Sequence, residues 1–279
     1  MDEDAGAMKR IFESDAGAVV TKSIGLKPRE GYPNPTVIEL EHGILNAIGL
    51  SNPGIDNFEE EIKTLKKSKI PVIGSIFGST TREFMKVADK MEKYGANALE
   101  LNMSCPHAKG YGLEIGSRPE LVKKITFNVK KTVEIPVFVK ISPNLTDIVK
   151  IAKSAEKGNA DAIVAINTVK AMKIDLDLKK PVLSNKIGGY SGKAIKPIGV
   201  RCVYEISRNI NIPVIGVGGI TTGEDAIEYF MAGATAVQIG SGIYYRDIDV
   251  FKKINTEIKN WMKNNGYKKL SEIIGVAQT

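Results

Sequence analysis

The 279-residue chain is 43% hydrophobic and 25% charged, with a formal net charge of +7 at pH 7. That is enough for one large domain with an ample core; no apolar run reaches the ~18–20 residues of a membrane span, and the acidic start Met1-Asp2-Glu3-Asp4 lacks the pattern of a secretory leader. Most of the basic residues are lysines, many of them on the polar faces of predicted helices, such as Lys63, Lys66, Lys67 and Lys69. Nucleic-acid binding is therefore not expected, while two cysteines suit a reducing compartment and make a cytoplasmic location the default.

Residues 3–14 read as a helix with no strand before it. An extended run over 17–23 follows and ends in Lys22 and Ser23. Residues 28–55 interrupt the rhythm with two short extended runs, Pro35-Thr36-Val37-Ile38-Glu39-Leu40 and Ile44-Leu45-Asn46-Ala47-Ile48. A helix over 56–69 leads into a strand at 71–77 carrying Ser75. A helix over 80–94 leads into a strand at 98–104, which runs out into the polar cluster Asn102-Met103-Ser104-Cys105-Pro106-His107. Then come a helix over 117–134, a strand at 136–142 with Lys140 near its end, a helix over 146–157, and a strand at 162–168 ending in Asn167 and Thr168. Residues 171–193 are rich in Lys, Asp and Gly and poor in helix signals. The chain closes with a helix over 195–211, a strand at 213–219, a helix over 222–232, a strand at 236–242 and a helix over 248–264.

A local pattern recurs in this succession: a helix end, a Gly-Ala stop and a β-rich run, as in Tyr94-Gly95-Ala96-Asn97-Ala98-Leu99 and Ala232-Gly233-Ala234-Thr235-Ala236-Val237. Gly just past a helix suits the left-handed cap, and the apolar run suits a strand buried on both faces. Strands alternating with helices imply a parallel sheet. A (β/α)₈ TIM barrel needs eight strands and seven are found, so the first strand is the one expected to be absent. The chain either starts at an internal methionine or forms an open sheet, and the former is preferred. The expected organisation is a single barrel domain over 1–279, with insertions near 28–55 and 171–193 over the catalytic face.

Polar residues stand at the C-terminal end of nearly every strand. Buried Lys is rare unless paired or functional, so Lys22 and Lys140, each ending an apolar strand, read as ligand contacts. Cys105, in a Pro- and Gly-rich loop past its strand, reads as a nucleophile or base. Gly216-Val217-Gly218-Gly219-Ile220 and Gly240-Ser241-Gly242 follow the last two strands, where barrels often hold a phosphate. Gly188-Gly189-Tyr190-Ser191-Gly192 is a third glycine cluster. No metal site is expected: zinc spacings are absent, two cysteines cannot hold a four-thiolate cluster, and His42 and His107 are far apart in sequence.

Together, Thr21-Lys22-Ser23 with Pro28-Arg29-Glu30-Gly31, Asn46-Ala47-Ile48-Gly49-Leu50, Asn102-Met103-Ser104-Cys105-Pro106, Lys140-Ile141-Ser142-Pro143-Asn144, Ile166-Asn167-Thr168, Gly189-Tyr190-Ser191-Gly192 with Ile195-Lys196-Pro197, and Gly218-Gly219 resemble class 1 dihydroorotate dehydrogenase, catalytic subunit, most nearly its NAD-linked type 1B. The resemblance runs over almost the whole chain. It implies an FMN-dependent barrel oxidising dihydroorotate to orotate, with Cys105 as base. Lys22, Asn46, Ala47, Ile48, Gly49, Leu50, Asn102, Asn167 and Thr168 would hold substrate. Lys22, Ser23, Ser75, Asn102, Lys140, Ile166, Gly192, Gly218, Gly219, Gly240 and Ser241 would hold FMN. Ser75 stands where NAD-linked members commonly have Asn, and the family places a strand and a small hairpin, with a serine contact to FMN, ahead of the position that is Met1 here. The resemblance also implies a homodimer, and a heterotetramer with a partner subunit carrying FAD and an iron–sulfur cluster. Two alternatives share these features: a dihydropyrimidine dehydrogenase-like barrel acting on uracil or thymine, and a flavin-binding subunit without redox activity.

Overall fold

A computed structural model describes residues 4–104 and 112–279. Cys105 and His107 lie outside the described residues. The order is α1 (Ala5–Glu13), β1 (Val19–Val20), β2 (Val37–Leu40), β3 (Gly43–Asn46), α2 (Glu59–Lys67), β4 (Val72–Ile76), α3 (Thr81–Tyr94), β5 (Ala98–Asn102), α4 (Leu113–Gly116), α5 (Pro119–Lys130), β6 (Val137–Ile141), α6 (Ile148–Lys157) and β7 (Ala162–Ala165). It continues with β8 (Val169–Ala171), β9 (Ile174–Asp175), β10 (Lys180–Pro181), β11 (Gly188–Ser191), α7 (Lys196–Ser207), β12 (Val214–Val217), α8 (Gly223–Met231), β13 (Ala236–Gln238), α9 (Gly242–Arg246) and α10 (Val250–Asn264).

The long helices form along apolar stripes, and α1, α3, α6 and α8 start at a side-chain cap. In α3, Thr80 accepts from the Glu83 amide, Gly95 ends the helix in the left-handed conformation, and Phe84, Val87, Ala88 and Met91 form the buried face. That spacing of three and four residues lays one stripe against the sheet, each large side chain contributing about 1.5–3 kcal/mol on burial. The approach is close: a Cβ on Gly74 of β4 would meet Met91 Cγ at 2.4 Å. The main core draws on every layer, from Ala5 and Met8 to Ile254 and Ile273.

Seven parallel strands pair in the order β1-β4-β5-β6-β7-β12-β13, the curled sheet of a TIM barrel with the strand count the sequence predicts. Among the described residues β1 and β13 pair with one neighbour each and not with each other, so a seam runs between them. Strands β5 and β7 are buried along their whole length, whereas Ala236 on β13 is exposed.

β1 is shorter than the run expected over 17–23. The ladder from Val19 and Val20 onto Val72 and Ile73 is interrupted because the Ser75 amide donates to Thr21 Oγ1 at 3.0 Å instead of to a carbonyl. Pairing resumes where Ile24 donates to the Ser75 carbonyl. A side chain thus substitutes for one rung, as at a bulge, and residues 21–23 leave the ladder.

The two insertions join. Strands β2, β3, β11 and β8 form one antiparallel sheet in that order, with Asn46 opposite Gly189 and Leu45 opposite Tyr190. Its own small core holds Leu45, Ala47 and Leu183. Residues 171–193, which show few helix signals in sequence, carry the short strands β9, β10 and β11 joined by turns.

Candidate active site

A cavity of about 990 Å³ occupies the barrel, within the range of small-molecule sites. Its wall includes Lys22, Ser23, Asn46, Ile48, Gly49, Leu50, Ser75, Asn102, Lys140, Asn167, Thr168 and Gly240. Twelve expected site residues, scattered from 22 to 240, therefore converge on one space. Ala47 is buried in the core of the small sheet, and Ile166, Gly192, Gly218, Gly219 and Ser241 lie off the cavity wall. The cavity also reaches down the seam, past Val19 and Val20 on one side and Ala236 and Val237 on the other.

A continuous hydrogen-bond chain crosses the strand ends. Asn167 Nδ2 donates to Ser104 Oγ at 2.8 Å, and Ser104 Oγ donates to Asn102 Oδ1 at 2.9 Å. Asn102 Nδ2 in turn donates to Ser23 Oγ at 2.9 Å, which lies 2.9 Å from Ser75 Oγ. Each amide uses both ends, so each planar head is fixed in orientation. The Thr168 amide donates to Asn167 Oδ1, and Asn144 Nδ2 donates to Ser142 Oγ and the Thr168 carbonyl, bracing the same rim.

Below this chain lies a charged triangle. Glu100, only 2% exposed, sits two residues before Asn102 and so shares its strand face. Its Oε1 lies 3.3 Å from Lys140 Nζ, and its Oε2 accepts from Gln238 Nε2 at 2.8 Å. Lys140 Nζ also donates to Gln238 Oε1 at 3.2 Å. The expectation that a lysine inside the barrel is functional or paired thus has a definite partner, one the sequence reading passed over. Its signal was present: an acid inside the apolar run Ala98-Leu99-Glu100-Leu101.

Asn52 is a second residue passed over. Buried, its Oδ1 accepts from the amides of Gly25 and Gly54, and its Nδ2 donates to the Leu50 carbonyl at 2.9 Å. It staples residues 46–50 above the cavity, where Leu50 has φ +58°, an uncommon conformation for a non-glycine residue. Among the described residues no group of three or more His, Cys, Asp or Glu side chains is placed to hold a metal, and Cys202 is buried with its thiol pushed up to about 11 by burial, an inert thiol.

A parallel barrel sheet, a roofed cavity at the C-terminal ends of its strands, and a wall of oriented amides, hydroxyls and an ammonium define an enzyme of the TIM-barrel class. The dihydroorotate dehydrogenase family matches residues 1–262, and the chain belongs to that family. It is 52% identical over 277 residues to a protein of Thermoplasma volcanium, covering 99% of this chain and 91% of that one. It is 53% identical over 281 residues to one of Methanocaldococcus jannaschii, again covering 99% and 91%. It is 51% identical over 270 residues to one of Pyrococcus abyssi, covering 97% and 90%. Each of the three is named dihydroorotate dehydrogenase B (NAD(+)), catalytic subunit.

Proposed function

We propose that this chain is the catalytic subunit of an NAD-linked dihydroorotate dehydrogenase, oxidising dihydroorotate to orotate in pyrimidine biosynthesis with FMN as its cofactor. Family membership supports the reaction and favours it over the uracil-type and non-catalytic alternatives. The observation that carries the site assignment is the unbroken chain from Asn167 through Ser104, Asn102 and Ser23 to Ser75 on the wall of one cavity.

The oxidation removes a proton from C5 and a hydride from C6, leaving the C5=C6 double bond. FMN, when bound, supplies the two-electron acceptor for that hydride. The wall suits such a group: Lys22, Ser23, Ser75, Asn102 and Lys140 offer donors and a cation together, as a polar heterocycle that gains negative charge requires. At the other end Gly218, Gly219, Gly240 and Ser241 would receive the phosphate, with Ile166 and Gly192 beside the flavin. A Cβ on Gly240 would meet nothing within 4 Å, which leaves open space for a ligand there. Asn102, Asn167 and Thr168 would orient the planar substrate, while residues 46–50 and Lys22 hold its carboxylate. Cys105, three residues beyond Asn102, would accept the C5 proton. Lys140 carries its charge within a triangle that Glu100 and Gln238 complete, so its ammonium is held rather than free to swing.

The relatives' name, catalytic subunit, supports a partner; we assign to that partner FAD and an iron–sulfur cluster, in a heterotetramer built on a homodimer. Met172, Ile174, Leu176 and Leu178 in the second insertion are exposed, an apolar surface suited to a protein contact. No helix among the described residues is long and apolar enough to cross a membrane, in keeping with a cytoplasmic assignment.

The test is a spectrum. The purified protein should be yellow with FMN and bleach anaerobically on adding dihydroorotate but not dihydrouracil. A colourless protein that binds no FMN, or one bleached by dihydrouracil alone, would overturn the reading.

A further inference from the structure

The loop over residues 218–222, between β12 and α8, is held by side chains at four of its backbone polar atoms. The Gly218 carbonyl accepts from Tyr229 Oη at 2.8 Å. The amides of Thr221 and Thr222 and the Thr221 hydroxyl all donate to Asp225 Oδ2 at 2.9 Å. Arg246 Nη1 donates to the Thr221 carbonyl at 2.9 Å. The amides of Gly219 and Ile220 donate to no acceptor among the described residues.

Asp225 and Tyr229 stand four residues apart on α8, so they share one face of that helix. Neither is free to choose another position. Tyr229 is fully buried, its ring in a slot cut by two glycines: a Cβ on Gly199 of α7 would fall 1.9 Å from its hydroxyl oxygen, and one on Gly216 of β12 would fall 2.4 Å from its ring. Asp225 Oδ1 accepts from Lys196 Nζ at 2.8 Å, and the Lys196 Cβ lies 2.8 Å from where a Cβ on Gly219 would stand. Gly219 has φ +69°, which glycine adopts without strain. The helix therefore grips both ends of the loop, and Lys196 closes it from the side.

We propose that Asp225 and Tyr229 are positioning residues for the cofactor phosphate: together they fix the loop so that the amides of Gly219 and Ile220, otherwise unpartnered among the described residues, serve as an anion-binding pair. The proposal rests on the assignment of FMN to this site. A backbone cradle binds an anion well only when its amides are fixed in advance. Loosening either end should weaken binding of the phosphate while leaving the isoalloxazine contacts intact.

The experiment compares FMN with riboflavin, which lacks the phosphate. Dissociation constants are measured by flavin fluorescence for the full chain, Tyr229→Phe and Asp225→Asn, with thermal unfolding recorded alongside. Tyr229→Phe removes one oxygen from a packed ring and keeps its shape, so the fold is retained. Each variant should bind FMN about tenfold more weakly, the scale of one lost hydrogen bond, with riboflavin affinity unchanged. Folded variants that keep the parent's preference for FMN, or that lose both ligands equally, overturn the clamp. A parent chain that binds FMN no better than riboflavin overturns the phosphate assignment and the clamp with it.

Discussion

Among individual residues, Glu100 is the one whose loss should be felt most in stability. Removing its carboxylate leaves Lys140, 17% exposed, inside the barrel with the Gln238 amide oxygen as its remaining partner among the described residues. Breaking such a pair typically costs about 3–5 kcal/mol, so Glu100→Ala should lower the unfolding free energy by roughly 3 kcal/mol in urea titration. Truncating both members should cost less than the sum of the single changes; additive effects would show that the pair is not coupled. Cys105→Ala should still bind FMN and orotate but lose about 10²–10⁴-fold in flavin reduction by dihydroorotate, the usual value of a general base. An unaltered rate in stopped flow would remove Cys105 from that role. Lys22→Ala should weaken orotate binding roughly ten- to hundredfold, the worth of one desolvated charge-assisted hydrogen bond. Equilibrium titration at matched flavin occupancy measures it, and unchanged affinity would place the carboxylate elsewhere.

For single elements, the sequence was legible where one local rule decides. The eight long helices and seven barrel strands follow from apolar stripes, Gly stops and prolines before strands, and the structure places them where expected. The pairing of β3 with β11 was not legible, because Asn46 and Gly189 are far apart in sequence and no local rule joins two insertions. Gln238 was missed for the same reason, since its partners Glu100 and Lys140 lie on other strands; Glu100 carried a local signal, an acid inside an apolar run, but not the identity of its partner. In α8 both kinds of information meet. Its Thr222 cap and Asp225 form a capping box, a local signal, while Lys196 arrives from α7. Burial alone would push the Asp225 carboxyl up, but hydrogen bonds from Lys196, Thr221 and Thr222 hold it down to about 2. The folded value lies below the unfolded value of about 3.9. Asp225 therefore contributes stability above pH ~4 and loses it as pH falls toward 2, by about 2 kcal/mol in all. Acid titration of the unfolding free energy should show this loss between pH ~4 and ~2, and Asp225→Asn should abolish that component.

At the scale of the whole molecule, the seam between β1 and β13 sets the distribution of stability. A closed barrel has no edges, but here the sheet ends at two strands that share a cavity instead of a ladder. Strand β13 is hydrogen-bonded on one side only, and Ala236 is exposed. Strand β5 is paired on both sides and buried at all five positions. Strands with one neighbour and little burial open locally at lower free energy than a sheet centre. The amides of β13 should accordingly exchange with deuterium at least about tenfold faster than those of β5, after correction for intrinsic rates, which corresponds to a local opening about 1.4 kcal/mol cheaper. Because Gln238 at the end of β13 is tied to Glu100 and Lys140 across the barrel, motion at the seam is coupled to the charged triangle under the active site. Gln238→Ala should thus widen the difference between the two strands and leave exchange in β5 itself almost unchanged. Equal protection of β13 and β5 would mean that the seam is closed in solution, and would separate the stability of this edge from the chemistry of the site.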